Sequence, residues 1–464
     1  MIAERGMVIH FIGIGGTGLS AIARVLLESG FTVTGSDRQL SPLAQGLMDA
    51  GVRVWIGHQA VNVADASMVV RSSAVPDNNV EVQAALAAGI PVYKRSEFLG
   101  QLLVDRIGVA VAGTHGKTTT TAMIAWMLSE IGQEPSFIIG GVSKNLNTNA
   151  RAGKGKIFVI EADEYDRMFL GLRPKIAIVT NIEHDHPDCY PTAEDFYQAF
   201  MAFAMNLNHQ GLLIGCGDDE GVKRLVTEIR AQGVLAMTYG FQHNCFYQAQ
   251  NLSCGANGCY AFSMFFQDNF LGSLTLQVPG KHNLLNALAA LAAIHQLGLP
   301  LAPAFRAMAN FIGTGRRFEL RGEIHGTVVI DDYAHHPTEI KATLSAARDR
   351  YPGRRIWAVW QPHTFTRIQA LFRQFASAFT LADQVIVTEV YAAREVVNDF
   401  SAREVADAIT HPKVHFIPTI DQVVKFLHEN LASGDVLLVL SAGDADRIST
   451  QVLTFLEERE LCNG

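Results

Sequence analysis

The sequence predicts an α/β protein built from doubly wound parallel sheets. Three observations carry that expectation. Apolar strand-like runs alternate with helix-compatible runs, two glycine-rich loops each join a strand to a helix, and polar clusters repeatedly close the strands. At 464 residues the chain has room for two to four domains of roughly 100–200 residues each.

Three α/β blocks follow one another. The first opens with a strand over residues 8–12, passes through a glycine loop and a helix, returns as a strand at 32–34, and alternates further to about residue 107. The second opens with an apolar strand at 109–112, followed by a helix over 121–131 and strands at 157–160 and 176–180. A helix is expected at 195–206, and another at 283–297 is rich in Ala and Leu on all sides and so reads as buried. The third starts near residue 313 with a strand at 327–330. It continues as helix 338–350, strand 355–360, helix 367–380, strand 384–388, helix 402–409, strand 414–417, helix 421–431, strand 436–440 and a closing helix. The expected divisions are 1–107, 108–313 and 314–464, with short junctions suited to blocks that rotate around a shared cleft.

With 48% hydrophobic and 18% charged residues this is an ordinary globular composition, and a net charge of −8 argues against a nucleic-acid groove or an anionic membrane surface. Residues 1–6 run straight into the first strand, leaving no room there for a signal peptide, and no apolar run approaches the roughly 20 residues of a membrane span. The six cysteines, Cys189, Cys216, Cys245, Cys254, Cys259 and Cys462, are scattered, as in a reducing cytoplasm; Cys254 and Cys259 bracket an expected hairpin tip.

The strand at 109–112 runs into Gly113-Thr114-His115-Gly116-Lys117-Thr118-Thr119. Glycines let such a loop aim backbone N–H groups at phosphate oxygens, and a following helix adds its positive end. Lys117, expected in an exposed loop, reaches for the β- and γ-phosphates, and the Thr118 hydroxyl suits Mg²⁺. The spacing is shorter than the general phosphate-loop pattern, yet the strand–loop–helix context points to ATP or a close relative. Gly13-Ile14-Gly15-Gly16-Thr17-Gly18, with Asp37 at the end of the next strand, is a dinucleotide fingerprint. It leaves two readings open, an NAD-dependent oxidoreductase or a site for the diphosphate of a nucleotide sugar.

Glu161-Ala162-Asp163-Glu164-Tyr165-Asp166 ends an apolar strand where ligands of α/β sheets collect, and hard oxygens there suit Mg²⁺. Thr180-Asn181-Ile182-Glu183-His184-Asp185-His186-Pro187-Asp188 ends the next. Its His-x-His-x-Asp core is part of a dinuclear metallohydrolase pattern, but Cys189 takes the place of that pattern's final His. A second Mg²⁺ site or a substrate contact fits better. His282 and Asn283 stand at a helix start, placed to cap it or touch a base. Arg316 and Arg317 sit in a glycine-flexible junction, where guanidinium groups can neutralise a transferring phosphate. The run Asp331-Asp332-Tyr333-Ala334-His335-His336-Pro337-Thr338-Glu339 again ends a strand, and Gln361-Pro362-His363 with Arg367 forms an anion-binding candidate.

As a set, GTHGKTTTT, EADE, TN-x-E-x-DH, GKHN-x-x-N, GRRFE and DDYAHHPTEI resemble the Mur ligases, and in order they span essentially the whole chain. The resemblance implies three domains: a Rossmann-like N-terminal domain for a UDP-sugar, a central P-loop ATPase and a Rossmann-like C-terminal domain for the incoming amino acid. The opening run looks most like members that join L-alanine to the lactyl carboxylate of UDP-N-acetylmuramate in cell-wall synthesis. A sister activity, attaching a preformed peptide to the same sugar nucleotide, is the alternative. Implied partners are these two small molecules, with ATP and Mg²⁺, no nucleic acid and no membrane, in a cytoplasmic monomer or weak homodimer.

Roles follow position by position from the resemblance. Gly13, Gly15, Gly16, Gly18, Ser36 and Asp37 would face the UDP moiety, with Ser72, Ser73 and Arg95 nearby. Gly113, Thr114, His115, Gly116, Lys117, Thr118 and Thr119 would hold ATP phosphates, Asn283 its adenine end and Arg317 its phosphates. Thr118 and Glu161 would bind one Mg²⁺ and His186 a second. Tyr333, His335 and Arg367 would shape the L-alanine site, with Lys117, His186, Arg317 and His335 the catalytic set. The chain departs from the family pattern at Tyr165-Asp166-Arg167-Met168 and at Thr364, and helix 195–206 contains no lysine to serve as a carbamylated ligand.

Overall fold

The computed structural model describes residues 6–397 and 399–463, with side chains to residue 458; residues 1–5 and the Cys462 side chain lie outside that range. The first sheet contains β1 (Val8–Ile12), β2 (Thr32–Asp37), β3 (Arg53–Ile56), β4 (Met68–Arg71) and β5 (Val92–Lys94), all parallel, in the order β3-β2-β1-β4-β5.

The second sheet is the largest. It runs through β6 (Ile107–Ala112), β7 (Ser136–Ser143), β8 (Thr148–Arg151), β9 (Ile157–Glu161) and β10 (Ile176–Val179). It continues with β11 (Leu212–Cys216), β12 (Leu235–Gly240), β13 (Tyr247–Cys254), β14 (Cys259–Phe266) and β15 (Asn269–Pro279). Their order is β15-β14-β13-β12-β11-β10-β6-β9-β7-β8. The third sheet holds β16 (Glu319–Ile324), β17 (Thr327–Asp332), β18 (Ile356–Trp360), β19 (Gln384–Val387), β20 (Val414–Phe416) and β21 (Val436–Leu440), ordered β16-β17-β21-β18-β19-β20.

Each sheet reverses direction of winding at one strand, and that geometry positions the site. In an open parallel sheet the loops on either side of such a point part, leaving a crevice at the strands' carboxyl ends. In the first sheet β1 lies between β2 and β4; in the second β6 lies between β10 and β9; in the third β21 lies between β17 and β18. The glycine loops and polar runs all follow these strands.

The sheets are parallel as expected, with antiparallel strands added at the edges of the second and third. β13, β14 and β15 form an antiparallel meander, β7 pairs β8 antiparallel, and β16 pairs β17 antiparallel. Tight hairpins, including the one at Cys254/Cys259, permit this where no crossover helix intervenes. The helix expected over 121–131 begins at Lys117 and ends at Glu130, because Gly116 with φ +82° closes the loop just before it. Its threonines are buried, and Thr121 returns its hydroxyl to Lys117 O at 2.8 Å, so packing overrides their weak helix preference. The helix expected over 367–380 is two short ones, Phe365–Ala370 and Phe372–Ala376, turning at Leu371. The Ala/Leu-rich helix Lys281–Gln296 is buried almost all round and packs on Lys117–Glu130.

Packing between the blocks is uneven. Phe98, Leu99 and Leu103 from the first share one apolar core with Met168, Phe169 and Leu172 from the second. The helix Arg95–Leu102 approaches so closely that a Cβ on Gly100 would stand 2.5 Å from Gly171 O. The third sheet keeps apolar cores of its own.

A buried carboxylate organises the first sheet. Glu81 is fully buried and accepts from Ser36 Oγ at 2.5 Å, Asn62 Nδ2 at 2.6 Å and Gln59 N at 3.2 Å, with His58 at 3.3 Å and His10 at 3.6 Å. Burial disfavours its charge, but His10, Ser36 and Asn62 prevail and hold its pKa near about 2, against an ordinary 4.5. The folded-state value is depressed, so this stabilisation is complete above pH 4.5 and drains away as pH falls toward 2. Glu81→Ala, which leaves those donors unpaired, should cost about 3 kcal/mol. The gap in melting temperature between wild type and Glu81→Gln should narrow below pH 4.5. A gap constant from pH 7 to pH 3 would contradict this account.

Candidate functional site

The phosphate loop is braced by the residues that leave the neighbouring strand β10. Thr114 N donates to Asn181 O at 3.1 Å and His115 N to Asn181 Oδ1 at 2.8 Å, while Thr180 Oγ1 donates to His115 O at 2.5 Å. Gly113 has φ +132°, and a side chain there would collide with the Thr180 hydroxyl; at Gly116 a Cβ would lie 2.5 Å from Asn286 Oδ1. Only glycine meets both the turn and the close approach. The helix Lys117–Glu130 carries no side-chain cap, so its first N–H groups are left for an anion.

Lys117 is not in an exposed loop, as expected from sequence, but part-buried at the head of that helix. Its Nζ donates to Gly113 O at 2.6 Å, Thr114 O at 3.0 Å and Glu164 Oε1 at 2.8 Å. Burial works against its charge, but Glu164 and Asp163 outweigh it and raise its pKa. Burial pushes Glu164 up to about 7 in spite of Lys117. Thr118 Oγ1 donates to Glu161 Oε1 at 3.0 Å, and Gly140 N donates to Glu161 Oε2 at 2.6 Å. His186, at φ +54°, stands 3.8 Å from Glu164 Oε1 and rests on the Tyr165 ring at 5.1 Å. Burial holds its pKa below the ordinary value.

Thr118, Glu161 and His186 line one cavity. Two buried atoms there, Glu164 Oε2 and His186 Nδ1, have no hydrogen-bond partner. Hard oxygens with one imidazole beside a phosphate loop fit a magnesium ion that keeps much of its water.

In the first sheet the glycine loop is already tightly bonded. Gly13 N donates to Ser36 O at 2.8 Å, Gly16 N to Gly13 O at 3.2 Å and Gly15 N to Asp37 Oδ2 at 2.8 Å. Ser36 is fully buried and spends its hydroxyl on Glu81, so its side chain turns away from the crevice. Ser72 lies beside Gly13, and Ser73 next to it is exposed. The free N–H groups are those of the uncapped helix Thr17–Glu28. Arg95 lies against Gly18 and 3.7 Å from Asp163, tying this loop to the acidic run of the second sheet.

The third sheet closes the cleft from the other side. Arg367, 3% exposed, forms a two-pronged pair with Asp185 at 2.7 and 3.3 Å. Despite burial, Arg367 and His186 hold Asp185 well below the usual carboxylate range. Arg394 pairs with Asp188 at 2.8 Å and lies over the Tyr165 ring at 4.1 Å. Arg317 donates to Glu339 Oε1 at 3.3 Å and lies over Tyr333. Its neighbour Arg316 donates to Ser441 O at 2.7 Å and Gly443 O at 3.1 Å. His335 Nδ1 meets Tyr333 O at 2.8 Å; burial, with Arg367, keeps this ring neutral, its pKa lowered to about 3.

The result is two cavities that meet at the phosphate loop. One runs past His282, Asn283, Asn286 and Tyr351; the other runs from Gly18 and Arg95 past Lys117 and His186 to Tyr333, His335 and Arg367. Both are lined by Thr118, Arg317 and Glu339. Asn283 is buried, with Nδ2 donating to Pro279 O at 2.7 Å, and faces the first cavity alone. Gly13, Ser36, Asp37, Ser72 and Ser73 line neither. Sequence reasoning assigned no role to Glu183, Asp185, Glu339 or Arg394. The first three lie in polar runs that it singled out, whereas Arg394 has no local signal and is found only through its contacts.

The chain is similar to known proteins along nearly its whole length. A model of the Mur ligase family catalytic domain matches residues 8–106, one of the Mur ligase middle domain residues 111–294, and one of the Mur ligase glutamate ligase domain residues 316–443. UDP-N-acetylmuramate–L-alanine ligase of Lawsonia intracellularis is 42% identical over 450 residues, covering 96% of this chain and 98% of that protein. The protein of the same description from Caldanaerobacter subterraneus is 40% identical over 98% of this chain and 99% of its own. The crystal structure of UDP-N-acetylmuramate–alanine ligase from Thermotoga maritima superposes with a TM-score of 0.81 at 29% identity, over 98% of this chain and 100% of that one. A murein peptide ligase from Psychrobacter arcticus gives 0.72 at 29% identity, over 97% and 99%.

The buried pair joining the second and third sheets generates a prediction. Arg367→Ala strands the Asp185 carboxylate and should cost about 3–5 kcal/mol, whereas Arg367→Met with Asp185→Asn should recover much of that loss. Denaturant unfolding of the single and double variants measures it. Additive costs in the double variant would mean that the two side chains do not act as a pair.

Proposed function

The chain belongs to the Mur ligase family, and on that premise we propose that it joins L-alanine to the lactyl carboxylate of UDP-N-acetylmuramate with cleavage of ATP. The observation that carries this reading is the meeting of two cavities at Thr118, Arg317 and Glu339. One suits a nucleotide whose phosphates end at the loop; the other would bring a carboxylate and an amine to those phosphates from opposite ends. The high identity to alanine-adding relatives over almost the whole chain supports the choice of amino acid.

A carboxylate is a poor acylating agent. Transfer of the γ-phosphoryl group makes it an acyl phosphate and releases ADP; the alanine ammonium gives up one proton, its neutral amine attacks the acyl carbon, and the tetrahedral species loses a second proton and expels phosphate to leave the amide. Lys117 and the free N–H groups of its helix bind the phosphates, and Arg317 faces them across the cleft, so charge is met as the group moves. Thr118, Glu161 and His186 would hold Mg²⁺, which when bound neutralises phosphate charge. Asn283 would take the adenine end. Neutral His335, with Nδ1 toward the Tyr333 carbonyl, leaves Nε2 to accept a hydrogen bond from the alanine ammonium. Arg367 would neutralise the carboxylate of that alanine beside Asp185. The UDP moiety would lie on the helix Thr17–Glu28 with Gly13, Gly15, Gly16, Gly18 and Asp37 shaping its turn.

We further infer that the division of labour follows residues 1–107, 108–313 and 314–464, in a cytoplasmic monomer or weak homodimer. A coupled ADP-release assay with UDP-N-acetylmuramate and alanine, glycine, serine or a small peptide tests the substrate assignment. Alanine should give the fastest turnover, and preference for the peptide would transfer the chain to the sister activity. Lys117→Ala should lower turnover by ~100-fold or more, since it removes a charged donor to the phosphates. Because it also strips a buried carboxylate, Glu164, of its cationic partner, the melting temperature should fall rather than stay fixed. Near-normal turnover in the folded variant would refute the phosphate-loop assignment.

A further inference from the structure

At the phosphate loop, beside the cavity that His115, Thr118, Thr338 and Glu339 line together, three side chains from two sheets converge. His115 follows β6, Glu183 follows β10, and His336 caps the helix Pro337–Arg350 after β17. One donor atom from each lies within 4.8 Å of the other two, and among the described residues this is the one such group of three or more. His115 Nε2 stands 3.2 Å from Glu183 Oε2, and His336 Nδ1 lies 4.0 Å from the same oxygen. The two imidazole rings are 4.6 Å apart.

The outer atoms of this group are held in place. His115 Nδ1 lies 3.3 Å from Glu339 Oε1, an arrangement in which a carboxylate fixes the ring and leaves Nε2 to face inward. Thr338 Oγ1 donates to Glu183 Oε1 at 2.7 Å, which leaves Oε2 to the centre. His336 is 1% exposed, its Nδ1 receives only a long 3.3 Å contact from Thr338 N, and its Nε2 is buried with no partner. That ring is poorly satisfied by the protein alone.

We propose that His115, Glu183 and His336 form a binding site for a divalent transition cation such as Zn²⁺, clasping the phosphate loop to the third sheet. Two imidazoles and one carboxylate with a fourth position open to water are a donor set that zinc takes readily. Imidazole selects zinc, copper or nickel over magnesium, so the site is chemically distinct from the oxygen-rich place at Thr118 and Glu161. Tetrahedral bonds of about 2.0–2.2 Å require donors roughly 3.4 Å apart. His115 and Glu183 already stand about that far apart at 3.2 Å, so binding draws His336 inward from 4.0 Å and tightens the loop's contact with the helix Pro337–Arg350.

The test uses the metal-free full chain with zinc as the probe and millimolar magnesium present throughout, without nucleotide. Competition against a chromogenic chelator should find one zinc per chain, bound at least tenfold more weakly in Glu183→Gln and in His336→Asn. Asparagine keeps a good cap on the helix while removing the imidazole, so a folded His336→Asn chain is expected and circular dichroism checks it. Zinc should raise the melting temperature of wild type but of neither variant. His325→Asn, a substitution at an exposed histidine, should bind as wild type does. Zinc affinity unchanged in both site variants, equal loss in His325→Asn, or no stoichiometric binding by wild type would each overturn the proposal.

Discussion

The position of β6 between β9 and β10 is the constraint from which the rest of the cleft follows. Parallel pairing sets Ala112 beside Val179 and Val111 beside Glu161, so the loops leaving the three strands start at one level. Hydrogen bonds carry the alignment one residue further, from Thr180 N to Ala112 O and from Ala162 N to Val111 O. Lys117, Glu161 and His186 meet although dozens of residues separate them in the chain. The helix Lys281–Gln296 then supports the loop from the side, with Asn286 against Gly116, and no larger residue than glycine can stand between them.

The three blocks are not joined alike, and the difference bears on how the reaction proceeds. The first and second share an apolar core and a close backbone contact at Gly100 and Gly171. Such a seam is costly to open, because parting it returns apolar area to water. The third meets the second through Asp185–Arg367, Asp188–Arg394, Glu183–Thr338 and His115–Glu339. Polar contacts of this kind exchange for water at little net cost, and they fix register more than they add stability. Motion is thus expected at the third block, with the first two moving as one body. A cleft that closes this way keeps water from an acyl phosphate without disturbing the phosphate loop.

Much of this was legible in the sequence because it is local. Strand, glycine loop and helix succeed one another at 8–28 and 107–130, and polar clusters close β9, β10 and β17. What was hidden is set by distant partners. The exposure of Lys117 depends on Glu164, 47 residues on, and Ser36 turns inward because Glu81, 45 residues away, needs a donor. Arg394 sits among unremarkable neighbours and gains meaning only over Tyr165 and beside Asp188. Of the antiparallel meander of β13 to β15 only the hairpin tip at Cys254/Cys259 was legible, because no helices punctuate the rest.

The charges divide along the same lines as the contacts. At the seam with the third sheet, Glu183, Asp185 and Glu339 are buried to different degrees, yet each is held below its ordinary pKa by cationic or imidazole partners. These remain anions and give the seam its register. Around the phosphate loop, burial dominates instead, and Glu161 and Glu164 are both pushed upward. A polyanionic ligand entering there meets carboxylates already inclined to shed charge rather than a wall of fixed negative potential. Lys117 is the pivot of that exchange. Its three present acceptors are two loop carbonyls and Glu164, and a phosphate must take the place of at least one. Glu164 and the two carbonyls thus hold the lysine in position before the nucleotide arrives.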